Sequence, residues 1–368
     1  MRQLKTVARM SFEFRSVSRV VAVSTIIALS IGLQACGGGG GSTAGAAAAN
    51  PRVNRTTPSA LLRWAGFRHV LRVVDLSGPG GNGTIVVATA GRLARLGRGG
   101  LLEPFARGPG GYSGPVGLEP YIALSTGRRV AAARCRFARN DVYALRLGRG
   151  RGVTVVNARG QARRFVRLGG GGLENGIAFD TTGRFGYRLL VTSVAGGKTT
   201  VFAIDCRGRV ATLTLTAPNV EGGMAVAPST FGRFAGDLIA ANEISGKIYA
   251  IGPDGRSNLI ADSGLPHGQD IGVESAGFVP PGFGAGWSAF VSDRRTTRNR
   301  HPGDDLILAL GGSALNRAGV RSGDLLLASE GGALTIDVAC ARTCRVRKIA
   351  QGPQIAHVEG HIVFRRGK

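Results

Sequence analysis

Five acids recur in one local pattern. Glu119, Glu174, Glu221, Asp270 and Glu359 each precede apolar residues at the third and fifth following positions, as in Glu174 with Ile177 and Phe179, or Glu359 with Ile362 and Phe364. Asp270 is the loosest copy: Val273 fits, but Ser275 breaks the second apolar position. Carboxylates gathered at one height repel one another and need protons, hydrogen-bond donors or a cation. A hard cation such as Ca²⁺ takes oxygen ligands, which brings in the amides of Asn175 and Asn242. The same acids could instead accept backbone N–H groups from a neighbouring unit and serve only to fix the fold. A second series, Glu243, Asp293 and Glu330, follows predicted second strands and is expected on the loops of one rim, either solvated or binding a partner. His357, Glu359 and His361 alternate, so on a regular strand they share a face. Imidazole, carboxylate, imidazole is a set that zinc or another transition metal accepts, and His267 is a further candidate. Plain hydrogen-bonded pairing is the competing reading. Beside a bound metal, such an imidazole would transfer protons.

These residues need elements that repeat. The acids lie 55, 47, 49 and 89 residues apart, so the last gap spans about two periods and one copy is degenerate near residue 315. Alternation puts the apolar pair on one face and the acid with small residues, such as Gly176 and Ala178, on the other. Small residues suit strands that crowd together near an axis. β-branched runs separated by glycine turns follow each acid, as at 188–192, 200–204 and 210–215 after Glu174. Four strands per unit is the blade of a β-propeller. The chain therefore reads as all-β: a six-bladed β-propeller closed by its C-terminal strand. Residues 359–364 are expected to supply the innermost strand of the N-terminal blade, whose strands at 84–106 carry no acid motif. A pair of β-sandwiches is the alternative.

At these motifs the chain resembles the six-bladed propellers of the NHL-repeat, TolB-like and senescence-marker-protein-30/gluconolactonase group. The resemblance spans about residues 70–365 and rests on Glu-x-Gly starts followed by hairpins ending in Asp-x-x-Gly or Asp-Gly. It identifies an architecture, not an activity. In the lactonases of that group a divalent metal sits at the channel mouth, which implies Glu174, Glu221 and Asp270 as ligands.

The N-terminus carries a different signal. Residues 1–19 are basic, 20–33 are apolar, and fourteen residues make a signal-peptide core rather than a membrane span of about 20. Leu33-Gln34-Ala35-Cys36 resembles the lipobox of bacterial lipoproteins, which implies cleavage before Cys36 and its acylation. Residues 1–35 are thus the leader, 36–60 a Gly/Ala/Ser-rich tether and 61–368 the propeller. The expected location is the bacterial cell membrane, lipid-anchored and facing outside the cytoplasm.

The net charge is +25, and only five of the 47 basic residues are lysine, a skew that fits codon bias. Attraction to an anionic envelope component is the rival reading. Nucleic acid is excluded, because the arginines are scattered with no aromatic platform. Four cysteines remain beyond Cys36. Cys340 and Cys344 are expected to pair across a hairpin, while pairing of Cys135 with Cys206, or a zinc site, stays open. No Gly-x-Ser-x-Gly, Walker loop, C-x-x-C or H-E-x-x-H motif is present. The expected function is a monomeric, lipid-anchored envelope propeller that binds a protein partner or small ligand without catalysis. No cofactor is certain; Ca²⁺ or another divalent metal is the candidate. The alternative is a divalent-metal-dependent hydrolase or lactonase working at the channel mouth, its catalytic residues unknown.

Overall fold

The computed structural model describes residues 60–79, 83–106, 112, 120–146 and 150–367. Cys36, the leader, nearly all of the tether and Glu119 lie outside the described residues.

The β-branched runs become strands, and glycine turns fold them into antiparallel meanders. The first sheet takes Val73–Ser77, Ile85–Thr89, Arg92–Leu96 and Leu102–Phe105; the second, Ile122–Leu124, Val142–Arg146, Gly152–Val156 and Ala162–Arg167. Leu173–Phe179, Leu189–Ala195, Lys198–Ile204 and Val210–Pro218 make the third. The fourth is Glu221–Val226, Leu238–Ala241, Lys247–Ile251 and Ser257–Asp262. The first strand of each sheet faces an axis. Val73–Ser77, Ile122–Leu124, Leu173–Phe179, Glu221–Val226, Val273–Phe278 and Val358–Arg366 follow one another around it, each touching the next and the last touching the first. This is a propeller-like arrangement.

Three expectations need correction. Six separate blades are not found: four four-stranded sheets stand alone, and the main remaining strands form one nine-stranded sheet. A single register pair, Ala276 opposite His361, joins its two halves. The C-terminal strand pairs with Trp287–Asp293 and not with the N-terminal sheet, which already owns an inner strand, Val73–Ser77. Finally, residues near 315 form a short helix, Gly312–Arg317, in an excursion that also inserts Trp287–Asp293 and Leu306–Gly311 between Val273–Phe278 and its partner Leu325–Ser329. The N-terminal segment straps the outer edges of the nine-stranded sheet. Leu62–Arg63 runs parallel to Cys344–Gln351, Ala65–His69 pairs with Leu306–Gly311, and the Trp64 indole between them donates to Thr335 Oγ1 at 2.8 Å.

The core lies between neighbouring sheets. Ile177, Phe179 and Val191 of the third sheet pack on Tyr143 and Val155 of the second, while Met224 and Val226 of the fourth pack on Leu190 and Val201 of the third. At the axis, side chains give way to backbone. A Cβ on Gly223 would stand 1.9 Å from the Gly360 carbonyl oxygen, and one on Gly277 1.9 Å from that of Ile362. Neither obstacle is a flexible side-chain tip, so the strands themselves would have to move apart. The Gly223→Ala variant is therefore expected to lose about 3 kcal/mol of stability, the upper end for overpacking. Thermal denaturation checks this; an unchanged melting temperature would contradict close axial packing.

Candidate functional site

Bulges set the acids. The ladder shifts register beside Asp75, Glu174, Glu221, Glu274 and Glu359, each in an inner strand. A bulge adds an unpaired residue and re-aims the neighbouring side chain. It also breaks the alternation on which the shared face of His357, Glu359 and His361 depended.

His357 and Glu359 stay together. His357 Nε2 lies 2.9 Å from both Glu330 Oε1 and Glu359 Oε1, and all three residues are buried. Arg294 closes the group, its Nη1 donating to both Glu359 oxygens at 2.8 and 2.7 Å. Burial alone would lower the His357 pKa; hydrogen bonds to Glu330 and Glu359 raise it to about 10. Burial would raise Glu359, but His357 and Arg294 hold it below its ordinary value. Glu330 is pushed up, first by burial, against the pull of His357. Two cations thus balance two carboxylates. With Arg294 the trio forms an ion-paired strut between the C-terminal strand and the loop after Leu325–Ser329.

A second cluster opens beside it. Glu221, Glu243 and Glu274 each present a carboxylate oxygen within 4.8 Å of the others; Glu221 and Glu243 are half-buried and Glu274 is buried. Gly222 makes the approach feasible, because at φ 76° its Cα lies against the Glu274 backbone, where a Cβ would meet the carbonyl at 2.3 Å. Glu243 is held by accepting the Asp270 N–H at 3.0 Å. Burial raises the Glu221 pKa, the Glu330 and Glu359 charges add to it, and a hydrogen bond from Asn175 opposes.

The other candidates scatter. Asp270 sits on an exposed turn before Val273–Phe278, so Glu274, not Asp270, is the inner-strand acid there. Glu174 is buried, raised by burial, and joins neither cluster; its Oε2 has no hydrogen-bond partner. Asn175 is structural, donating to the Val220 carbonyl at 2.8 Å and accepting from Thr192 Oγ1 at 3.0 Å. Asn242 caps its own turn by accepting the Ser245 N–H at 2.8 Å. Asp293 and Glu330 are buried rather than on a solvated rim. Asp293 accepts the His357 N–H at 2.8 Å, and burial pushes its pKa up to about 6. His267 is exposed, with Nδ1 3.2 Å from the Leu265 carbonyl.

His361 belongs elsewhere. Gly360, at φ 75°, turns it away from His357. Its Nδ1 lies 3.0 Å from both Asp75 oxygens, and its Nε2 donates at 3.0 Å to the Ile177 carbonyl across the ring. Both ring nitrogens face acceptors, so the imidazole carries both protons. Asp75 also accepts the N–H groups of Leu76, Ile122 and His361. Sequence reasoning missed Asp75 and Glu274, neither of which is followed by the apolar pair that marks the other inner-strand acids.

Cys340 and Cys344 are disulfide-bonded, and Cys135, in the short Cys135–Arg136 strand, is bonded to Cys206 in the turn after Lys198–Ile204. No protein-family model matches the chain, and no curated protein matches it. Solved structures do. One is a protein of unknown function from Bacteroides thetaiotaomicron, at TM-score 0.44 and 10% identity, covering 76% of this chain; this chain spans 60% of that protein. Another is regucalcin, a calcium-binding protein from Agrobacterium tumefaciens, at TM-score 0.45 and 11% identity over 79% of this chain and 78% of that one. A third is virginiamycin B lyase from Staphylococcus aureus, at TM-score 0.40 and 10% identity over 75% and 84%. Similarity this low transfers no activity, and the architecture rests on the sheet topology.

Charge balance in the strut can be tested directly. Arg294→Ala leaves Glu359 buried with only His357 to share, and should cost roughly 3–5 kcal/mol. The pH profile tests the same group. His357 rises from 6.5 to about 10, so its contribution is full below pH 6.5 and is lost as pH rises through about 10. Asp293 rises from 3.8 to about 6, so its contribution is full below pH 3.8 and fades as pH rises through about 6. Both slopes run the same way: the melting temperature should fall from about pH 5 to pH 10. A flat or rising profile would disprove the assigned protonation states.

Proposed function

We propose that the chain is a lipid-anchored, non-enzymatic ligand-binding propeller of the bacterial cell envelope, whose acidic mouth takes a divalent cation, Ca²⁺ fitting best. The observation that carries this is the spacing of Glu221, Glu243 and Glu274, whose oxygens lie within 4.8 Å of one another. Oxygens sharing one Ca²⁺ at 2.3–2.6 Å stand up to about 5 Å apart. The donors are all carboxylate oxygens, the choice of a hard cation over zinc or copper. Burial first, and then the charges of Glu330 and Glu359, raise the Glu221 pKa, a penalty on its charge that a bound cation would relieve. When bound, the cation would present positive charge at the mouth to an anionic group of a ligand or partner protein. The chain's own residues do the rest. Arg294 and His357 hold Glu359, and Asp270 holds Glu243.

The hydrolase reading would need a general base poised beside that cation, whereas His357 Nε2 is already engaged by Glu330 and Glu359 and both His361 nitrogens face acceptors. Binding is the simpler use of the site.

The anchor rests on the apolar core ending at Cys36 and the glycine run behind it. Among the described residues no helix is long and apolar enough to cross a membrane. We further read the nine-stranded sheet as two blades, which would make six with the four separate sheets. The single-pair junction supports that reading, as does a core cluster in which Leu326 and Ile349 of one half meet Ala289 and Leu308 of the other. The domain is taken as a monomer whose anionic partners lie at the envelope surface.

Ca²⁺ at about 100 times its dissociation constant should stabilise the detergent-solubilised chain by about 2.7 kcal/mol. A melting temperature raised by Ca²⁺ in the wild type but not in Glu221→Gln or Glu274→Gln is the expected result. No response to Ca²⁺, Mg²⁺ or Zn²⁺ would remove the cation from the proposal.

A further inference from the structure

A second feature lies away from the acidic mouth. A cavity of about 700 Å³ opens at the opposite end of the axis, where the inner strands finish. Its wall is apolar, built from Leu124, Phe179, Val226, Phe278 and Val363 at the ends of five inner strands. Met224 and His361 lie deeper along the same strands. The mouth carries Arg128, Arg136 and Arg139, all exposed, on the loops around the short Arg129–Val130 and Cys135–Arg136 strands. Among the described residues that line the cavity there is no carboxylate.

Two of the arginines are oriented. Arg136 Nη1 donates to the Gly127 carbonyl at 2.6 Å, and the Arg128 guanidinium lies 5.6 Å from the Tyr187 ring centroid. Guanidinium groups match the planar, multi-oxygen faces of carboxylate and phosphate. Apolar walls with a few convergent polar groups are the usual make-up of a small-molecule site, and the volume falls in the usual range. His361 is paired with Asp75, which does not line the cavity, so the rim arginines carry the positive charge there.

We propose that this cavity binds a small amphipathic anion, an apolar body carrying one carboxylate or phosphate group. The body enters against Phe179, Phe278 and Val363, and the anionic head meets Arg128, Arg136 and Arg139 at the rim. The site shares no residue with the cation cluster, so it stands whether or not a metal binds at the acidic mouth.

The alternative to exclude is general attraction of anions to a chain of charge +25. Fluorescence titration of the detergent-solubilised full chain with 2-naphthoate, 2-naphthyl phosphate and neutral 2-naphthol separates the two. Saturable binding of at least one anion, tenfold or more tighter than 2-naphthol, is expected; the two anions tell carboxylate from phosphate recognition. Arg128→Gln/Arg139→Gln should weaken that binding at least tenfold. Arg207→Gln/Arg256→Gln, which removes the same charge from exposed turns outside the cavity, should leave it within twofold. Equal loss in both double variants would overturn the proposal in favour of non-specific attraction. So would equal binding of 2-naphthol, or attachment only to vesicles of phosphatidylglycerol without saturable binding of either naphthyl anion.

Discussion

Backbone pressed on backbone at the axis is the constraint from which the rest follows. Gly222, Gly223, Gly277 and Gly360 let inner strands approach until no Cβ fits between them. Strands that close cannot stay regular and also aim acids inward, and the ladder slips beside five inner-strand acids. The slips bring Glu221 to Glu274 and turn His361 from His357 toward Asp75. A propeller with side chains at these glycines would be wider, and its acids would stand too far apart to share a proton or a cation.

Converging acids in a low-dielectric channel must be compensated, and two of them are paired with cations. Asp75 takes backbone N–H groups and an imidazolium. Glu359 takes an arginine and an imidazolium, in a pair whose partners come from the inserted Trp287–Asp293 hairpin and from the C-terminal segment. Glu221 instead feels Glu330 and Glu359, charges of its own sign. That contrast, more than acidity alone, separates the two clusters chemically.

Much of this was legible in the residues. The spacing of Glu174, Glu221 and Glu359 from their apolar partners marked three inner strands, because Ile177, Met224 and Ile362 must each fill a core between sheets. Asp75 was hidden because its third and fifth following positions are Gly78 and Gly80, where the pattern asks for apolar side chains. Glu274 was hidden by the axial constraint itself: its third following position is Gly277, and only glycine fits against the Ile362 carbonyl. The four-residue slip to Asp270 followed from that gap. Parity along Val358–Arg366 could not be read at all, since a bulge leaves no period in a sequence. Nor could the charge on His357, which depends on Glu330 some 27 residues away and on a turn that brings them within 2.9 Å. The nine-stranded sheet escaped for a topological reason. Its middle strands interrupt a blade between the first and second strand, and a repeat count assumes blades are contiguous.

The two ends of the axis are chemically separate, and His361 is why. Its side chain reaches from the C-terminal strand to Asp75 on one neighbour and to Ile177 on the strand opposite, so it spans the axis at the inner end of the cavity. The bonds on both sides hold the ring in place, and its charge is cancelled locally by Asp75. Neither the acidic mouth nor the arginine-rimmed cavity then requires the other's ligand to cross the ring. A cation attracted to carboxylates at one end and an anion attracted to guanidinium groups at the other can each be held without neutralising its counterpart.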